Sequence, residues 1–204
     1  MSISKSCAFK VWHRIIFFPY NIVKYPVTYI LNIITYSKNI NKKGIKDSKK
    51  TPFKKRILIA NYIKKNSIYA IGTASVGEIN KMNILNASLL SMKRALNKLK
   101  SRPSVAYIDG LFAPKEINIK YKTIVKGDEK ISSIAAASII AKTSRDLFMI
   151  KLSKKYPKYK WHKNFGYGTA DHLQGLKKYG ITKYHRKKFK PIYNMLSPRA
   201  RETQ

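Results

Sequence analysis

The chain has 204 residues, a mass of 23.5 kDa and a hydrophobic fraction of 44%, which suits one folded domain with at most an appendage and excludes wholesale disorder. Lys and Arg number 43 against 9 Asp and Glu, a formal net charge of +34; an acidic binding surface is excluded, and a polyanion is the expected partner, nucleic acid before anionic membrane. One cysteine, Cys7, excludes an internal disulfide framework and a cysteine-based zinc site, and it fits a reducing compartment such as the cytoplasm.

In chain order, residues 1–46 come first and differ in kind from the rest. They hold eight Lys or Arg, eight aromatic residues and no Asp or Glu. No clean period of 2 or 3.6 runs through them, and Pro19 and Pro26 interrupt any long helix, so the segment reads as buried or irregular. Its uncharged run from Tyr25 to Ser37 spans 13 residues. A membrane span needs roughly 20, so no membrane association is expected. Thr51-Pro52 reads as the N-cap and first position of a helix reaching Lys65. Residues 67–75 read as a strand. From Val76 to Lys100, Ile79, Met82, Leu85, Leu89, Met92, Leu96 and Leu99 keep 3–4 spacing, which predicts one amphipathic helix.

Two short strands follow, Val105 to Ile108 and Tyr121 to Lys126, ending at Asp109-Gly110 and Gly127-Asp128. Ser132 to Lys155 predicts a helix whose small residues Ala135, Ala136, Ala137 and Ser138 mark a close packing partner. Thr169 reads as the N-cap of a last helix that ends at Tyr179 and stops at Gly180; beyond Ser197 a frayed tail is expected. Strands alternating with helices predict the α/β class.

Three groups of residues carry possible chemistry. Asp109 and Asp128 each follow a strand, and adjacent strands ending on one side would bring both carboxylates to one sheet edge. Such a pair suits Mg²⁺, which takes oxygen ligands and keeps several waters; Asp-Gly and Gly-Asp are equally turn dipeptides. Ser138, Lys142 and Arg145 fall on one helical face at i, i+4 and i+7. That face is either a phosphate track or a solvated surface on which Asp146 pairs Lys142 or Arg145. Tyr167 stands between Gly166 and Gly168, either as a ring that stacks on a sugar or base or as a packed turn residue. His162, His172 and His185 lack zinc-site spacing. Lys151 to Lys163 and Lys183 to Lys190 interleave aromatic and basic residues, as polyanion-binding surfaces do.

Taken in order, seven segments resemble ribonuclease HII over about residues 44–193. They are Gly44-Ile45-Lys46-Asp47-Ser48-Lys49-Lys50; Ala74-Ser75-Val76 through Leu85; Tyr107-Ile108-Asp109-Gly110; Ile124-Val125-Lys126-Gly127-Asp128; Ile134 through Ser138 and Lys142 to Asp146; Gly166-Tyr167-Gly168-Thr169 to His172; and His185-Arg186 to Phe189. The resemblance implies a ribonuclease H-like α/β fold, with a central mixed sheet flanked by helices and a C-terminal helical segment. It implies an endonuclease that cuts the RNA strand of RNA–DNA hybrids and nicks DNA 5′ of embedded ribonucleotides, with Mn²⁺ or Mg²⁺ as cofactor. By position, Asp109 and Asp128 match catalytic metal ligands. Tyr167 matches the tyrosine stacked on the sugar, and Lys49, Ser138 and Lys142 match positions near the nucleic-acid backbone. A monomer in the cytoplasm is expected, with residues 1–43 as a divergent segment, 44–197 as the ribonuclease HII-like domain and 198–204 as a tail.

One departure stands out. The family opens with Asp-Glu-Ala-Gly-Arg-Gly, whose Asp and Glu are two further metal ligands. The corresponding stretch here, near Arg14 to Ile22, is Arg-Ile-Ile-Phe-Phe-Pro-Tyr-Asn-Ile, and no carboxylate precedes Asp47. A shifted reading frame or start, a decayed relative, or a divergent enzyme helped by Asp47 or Asp146 would each account for it.

Overall fold

The structure, a computed structural model, describes the strands Arg14–Phe17 and Tyr29–Thr35, residue 45, and residues 51–197. In chain order the elements are β1 (Arg14–Phe17), β2 (Tyr29–Thr35), α1 (Phe53–Lys65), β3 (Ile68–Ala74), α2 (Val76–Asn97), β4 (Val105–Asp109), β5 (Lys120–Ile124), α3 (Gly127–Lys130), α4 (Ser132–Lys155), α5 (Trp161–Asn164), α6 (Ala170–Tyr179) and α7 (Lys190–Leu196). A 3₁₀ turn at Pro157–Tyr159 precedes α5. The α/β class is as expected. Parallel and antiparallel pairing both occur, in two ladders: β1-β4-β5 is all parallel, and β2-β3 is antiparallel.

The N-terminal segment holds two strands where the local pattern predicts none. β1 runs parallel to β4, with Phe17 opposite Ile108. β2 pairs along its whole length with β3, from Tyr29 opposite Ala74 to Thr35 opposite Ile68. β2 also packs against both α2 and α4, and a strand covered in this way does not need the polar alternation that marks a half-exposed one. Its Ile, Thr and Tyr content suits a pleated surface, and its partners lie far along the chain.

Two helices differ in detail from the sequence pattern. α1 begins one residue late, with Pro52 at the cap position and no side-chain cap; the Thr51 carbonyl instead accepts from Arg56 Nη1 at 2.9 Å. α2 is broken at Asn83, whose φ of 70° is left-handed. Its ψ of 172° also takes it out of the helix, and its Oδ1 accepts from the Asn86 backbone N–H at 3.0 Å, which caps the second half. The first half opens with a capping box, Ser75 and Glu78 bonding reciprocally to each other's backbone N–H. Arg94 binds Glu78 in two contacts, and with the Ser75 N–H it holds that carboxyl down at about 2. α6 has its Thr169 cap and Gly180 stop as read from the sequence. α3, α5 and α7 are short helices with no sequence signal strong enough to predict them.

Two apolar clusters form the interior. One is aliphatic and small: Ala135, Ala136, Ala137, Ile139 and Ile140 of α4 pack with Ala106 and Ile108 of β4 and with Ile63, Ile79 and Met92. The alanines, where a close partner of α4 was expected, share their cluster with Ala106 and Ile108 of β4, and α4 also packs on β1, β2 and α1. The other is aromatic: Met149, Leu152, Tyr159, Trp161, Leu176 and Ile192 gather the C-terminal helices onto the end of α4.

Candidate active site

β4 and β5 are parallel neighbours, so their C-terminal ends share one edge. Asp109 is the last residue of β4 and lies opposite Ile124, the last of β5. Its side chain is buried, 3% exposed as a residue, and its Oδ1 accepts the Gly127 backbone N–H at 2.7 Å. That contact requires the chain to turn sharply after β5. Lys126 provides the turn with φ 54°, and Gly127 follows in a place where a Cβ would collide with Ile134. Asp128, half-buried, is the next residue of α3. At this edge Asp109 accepts from Gly127, and Asp128 is the residue that follows Gly127.

These are hard oxygen donors, and one or two carboxylates completed by water and substrate phosphate are what Mg²⁺ takes. The donor set fits a single such ion. Among the described residues no group of three or more His, Cys, Asp or Glu converges. β1, beside β4, contributes none: its four residues are Arg-Ile-Ile-Phe. The other acids of residues 51–197, apart from the exposed Glu129 next to Asp128, serve ion pairs elsewhere: Glu78 with Arg94, Glu116 with Lys93, Asp171 with Lys160, and Asp146 with three cations.

Asp146 settles one expectation about α4. Its side chain is fully buried. Oδ2 accepts from Arg56 Nη2 at 2.7 Å, and Oδ1 accepts from Lys142 Nζ at 2.9 Å and Arg145 Nη1 at 3.2 Å. Its two oxygens are thus committed to cations, which corrects the suggestion that it could complete a metal site. The face of α4 is also not a solvated one. Ser138 and Arg145 are 3% and 2% exposed, and only Lys142 reaches outward, its side chain 22% exposed. Three cations share one carboxylate, so the cluster keeps an excess of positive charge. Burial pushes the Lys142 ammonium below its usual range, opposed by Asp146.

Lys142 joins this cluster to Tyr167. Its Nζ donates to the Tyr167 hydroxyl at 2.9 Å and lies 5.0 Å from the ring centre. Arg145 lies 5.6 Å from the same ring and donates to the Phe165 carbonyl at 2.7 Å. The tyrosine expected to stack and the lysine expected to touch phosphate are thus in direct contact. Lys49, the remaining predicted backbone contact, lies outside the described residues, as does Asp47.

Sequence reasoning passed over the residues that hold Tyr167 from behind. The Tyr167 carbonyl accepts from the Thr169 N–H at 2.8 Å and lies 2.8 Å from His172 Nδ1. His172 Nε2 accepts from Trp161 Nε1–H at 3.1 Å and faces His185 Nε2 at 3.3 Å. His185 Nδ1 accepts the Thr182 N–H at 2.8 Å. Both rings are about 1% exposed. Burial pushes both below the usual histidine range, His185 to about 4. The sequence marks both only as lacking zinc spacing and as members of two resembling segments; their closeness comes from the α6 turn and the loop after it.

This fold defines a class, that of ribonuclease H-like α/β proteins. The crystal structure of ribonuclease H2 from Pyrococcus horikoshii OT3 superimposes with TM-score 0.68 at 22% identity, covering 84% of this chain and 92% of that one. Bst-RNase HIII, solved in complex with Mn²⁺, gives TM-score 0.72 at 19% identity over 91% of this chain and 70% of that one. Within the class the family is set by sequence. The family profile for Ribonuclease HII matches residues 26–192, a stretch that takes in β2 and leaves β1 outside. Ribonuclease HII of Pelagibacter ubique is 55% identical over 163 residues, 80% of this chain and 88% of that protein. The chain belongs to the ribonuclease HII family.

Proposed function

We propose that this chain is a divalent-metal-dependent endonuclease that cuts the RNA strand of RNA–DNA hybrids and nicks duplex DNA 5′ of an embedded ribonucleotide. The observation that carries it is the juxtaposition at the C-terminal sheet edge: Asp109, fixed by the Gly127 N–H at 2.7 Å, with Asp128 one residue beyond. Asp109 and Asp128 are the residues that would hold Mg²⁺ or Mn²⁺. Bound there, such an ion supplies an activated water and charge neutralisation at the leaving 3′-oxygen. The Gly127 backbone N–H helps to hold the Asp109 carboxylate in orientation, which favours a preorganised cation site.

The chain's own grip on substrate is argued from Lys142 and Tyr167. Lys142 keeps a partly exposed ammonium beside two buried guanidinium groups, an arrangement that attracts a phosphate. Tyr167 offers its ring to a sugar. A Cβ at Gly168 would meet nothing within 4 Å, so packing within the chain does not require glycine there, and the open space suits the close approach of a ligand. Ser138 and Lys49 are assigned to the same backbone track. A monomer acting in the cytoplasm is the simplest assembly for this activity; among the described residues no helix is long and apolar enough to cross a membrane.

A second reading is favoured by one specific observation. The strand beside β4 is Arg-Ile-Ile-Phe, and no acid precedes Asp47. On that reading the chain is a catalytically inactive relative that grips nucleic acid through the same basic and aromatic residues. The deciding experiment is cleavage of an end-labelled DNA duplex carrying one ribonucleotide, with Mg²⁺ and with Mn²⁺. A nick 5′ of the ribonucleotide, lost in Asp109→Asn, supports the endonuclease. Salt-sensitive binding with no nick at any metal concentration supports the inactive binder.

A further inference from the structure

The buried histidines face the back of Tyr167, and the donors around them fix their protons. Trp161 Nε1–H and the Thr182 backbone N–H can only donate. Thr182 donates to His185 Nδ1 at 2.8 Å, so neutral His185 carries its proton on Nε2. That proton points to His172 Nε2 at 3.3 Å, which also accepts from Trp161 at 3.1 Å. Neutral His172 therefore carries its proton on Nδ1, aimed at the Tyr167 carbonyl 2.8 Å away. Each hydrogen bond in the chain dictates the next, from Thr182 through His185 and His172 to Tyr167.

Tyr167 needs such an anchor. Glycines flank it on both sides and restrict the backbone little; its N–H is held by the Asn164 carbonyl at 2.8 Å, which leaves its carbonyl side to be fixed. Its carbonyl bond to Thr169 lies within its own turn and moves with it. The His172 contact is what ties that peptide to the aromatic cluster of Trp161 and Tyr159, where Trp161 is fully buried and stacks on Tyr159 at 5.1 Å. At its other end the ring is tied to Lys142.

We infer that His172 is a positioning residue: through Nδ1–H on the Tyr167 carbonyl, in the tautomer imposed by Trp161 and by the Thr182–His185 pair, it sets the stance of the Tyr167 ring and with it the preference for a ribonucleotide over a deoxyribonucleotide. The inference rests on the reading of Tyr167 as the residue that stacks on the sugar.

Two substitutions separate the atoms. His172→Asn places an amide N–H where Nδ1–H stands and loses the contact to Trp161. His172→Gln places an amide oxygen near Nε2 and loses the donor to Tyr167. The readout is affinity of the full chain, without divalent ion, for a fluorescent DNA duplex with one ribonucleotide against the all-DNA duplex. Tyr167→Ala is expected to lower the ratio of the two by about tenfold, the scale of one stacking contact. His172→Gln is expected to fall with it, and His172→Asn to stay near the parent. If Gln and Asn change the ratio alike, or neither changes it, His172 is structural and the inference fails while the Tyr167 reading stands. If Tyr167→Ala keeps the ratio, the Tyr167 reading fails and the inference with it. A measurement on the unaltered protein guards against variants that do not fold: long-range ¹H–¹⁵N spectra are expected to find His172 protonated on Nδ1 and His185 on Nε2, and the reverse tautomer at His172 overturns the inference.

Discussion

At the sheet edge, the Asp109 carboxylate accepts the Gly127 backbone N–H, Asp128 follows on a four-residue helix, and the neighbouring strand β1 adds no acid. On α4, Lys142 bonds both Asp146 and Tyr167, Arg56 and Arg145 bond the same Asp146, and Tyr167 is held again through its carbonyl by His172. The acidic half is placed by the local turn after β5, whereas the gripping half is cross-tied by side chains from distant parts of the chain. On the proposed function, that difference predicts that cleavage and binding respond to different substitutions.

The largest test of that contrast removes the acid without disturbing the fold. Asp109→Asn keeps an oxygen for the Gly127 N–H but loses the charge. A metal site supplies several kcal/mol of transition-state stabilisation, so any cleavage should fall by on the order of 10³-fold or more. Affinity for hybrid duplex should stay within about twofold, since the side chain donates nothing to phosphate. Both are read in one gel-based series of cleavage and binding. A parallel collapse of binding would break the division into halves. Next in size is Asp146→Asn, which leaves three buried or half-buried cations around a neutral amide. Breaking a buried ion pair on one side costs roughly 3–5 kcal/mol, and urea unfolding should find a loss on that scale. A small loss would mean that the cluster is less tightly built than its distances imply.

How much of this is legible in the sequence depends on how local each cause is. Asp109 and Asp128 could be placed at one edge because a strand's end and its following glycine are read from neighbouring residues. α4 and α6 were legible for the same reason, through alanine spacing and the Thr169 and Gly180 caps. β1 and β2 were not, since their regularity comes from partners 33 to 91 residues away. Asn83 was hidden because seven apolar residues keep helical spacing straight through the break. The carboxylate of Asp146 looked like a surface pair because its third partner, Arg56, lies 90 residues earlier. His172 and His185 are legible as members of two resembling segments without metal spacing, but not as a pair, because the hydrogen bonds that join them involve a turn, a tryptophan and a threonine.

A smaller effect comes from pH and acts on the gripping half alone. Burial lowers the folded-state range of both histidines, to about 4 for His185, against an unfolded value near 6.5. Between those values the unfolded chain binds a proton that the folded chain refuses. Stability from this pair is therefore complete above about pH 6.5 and is lost as pH falls toward 4, with a total of roughly 3 kcal/mol for His185. Thermal unfolding from pH 7.5 to 4.5 should follow this slope, and His185→Phe, which cannot titrate, should flatten it. An equal slope in the variant would assign the acid sensitivity to other groups.

The finest tests act on binding. Lys142→Met should weaken all duplexes about equally and reduce the salt slope of binding by about 0.9, one phosphate contact fewer. Gly168→Ala goes further in separating fold from function. Its new Cβ meets nothing within 4 Å, and its backbone is outside the left-handed region, so stability should change by no more than about 0.5 kcal/mol. If the open space is where a sugar or phosphate comes close, affinity should nevertheless fall, and it should fall more for the ribonucleotide duplex that engages Tyr167. A substitution that leaves unfolding untouched and costs binding would locate the substrate on the cross-tied half. Unchanged binding would move the ligand away from the Gly166-Tyr167-Gly168 turn and toward Lys142 and its basic neighbours.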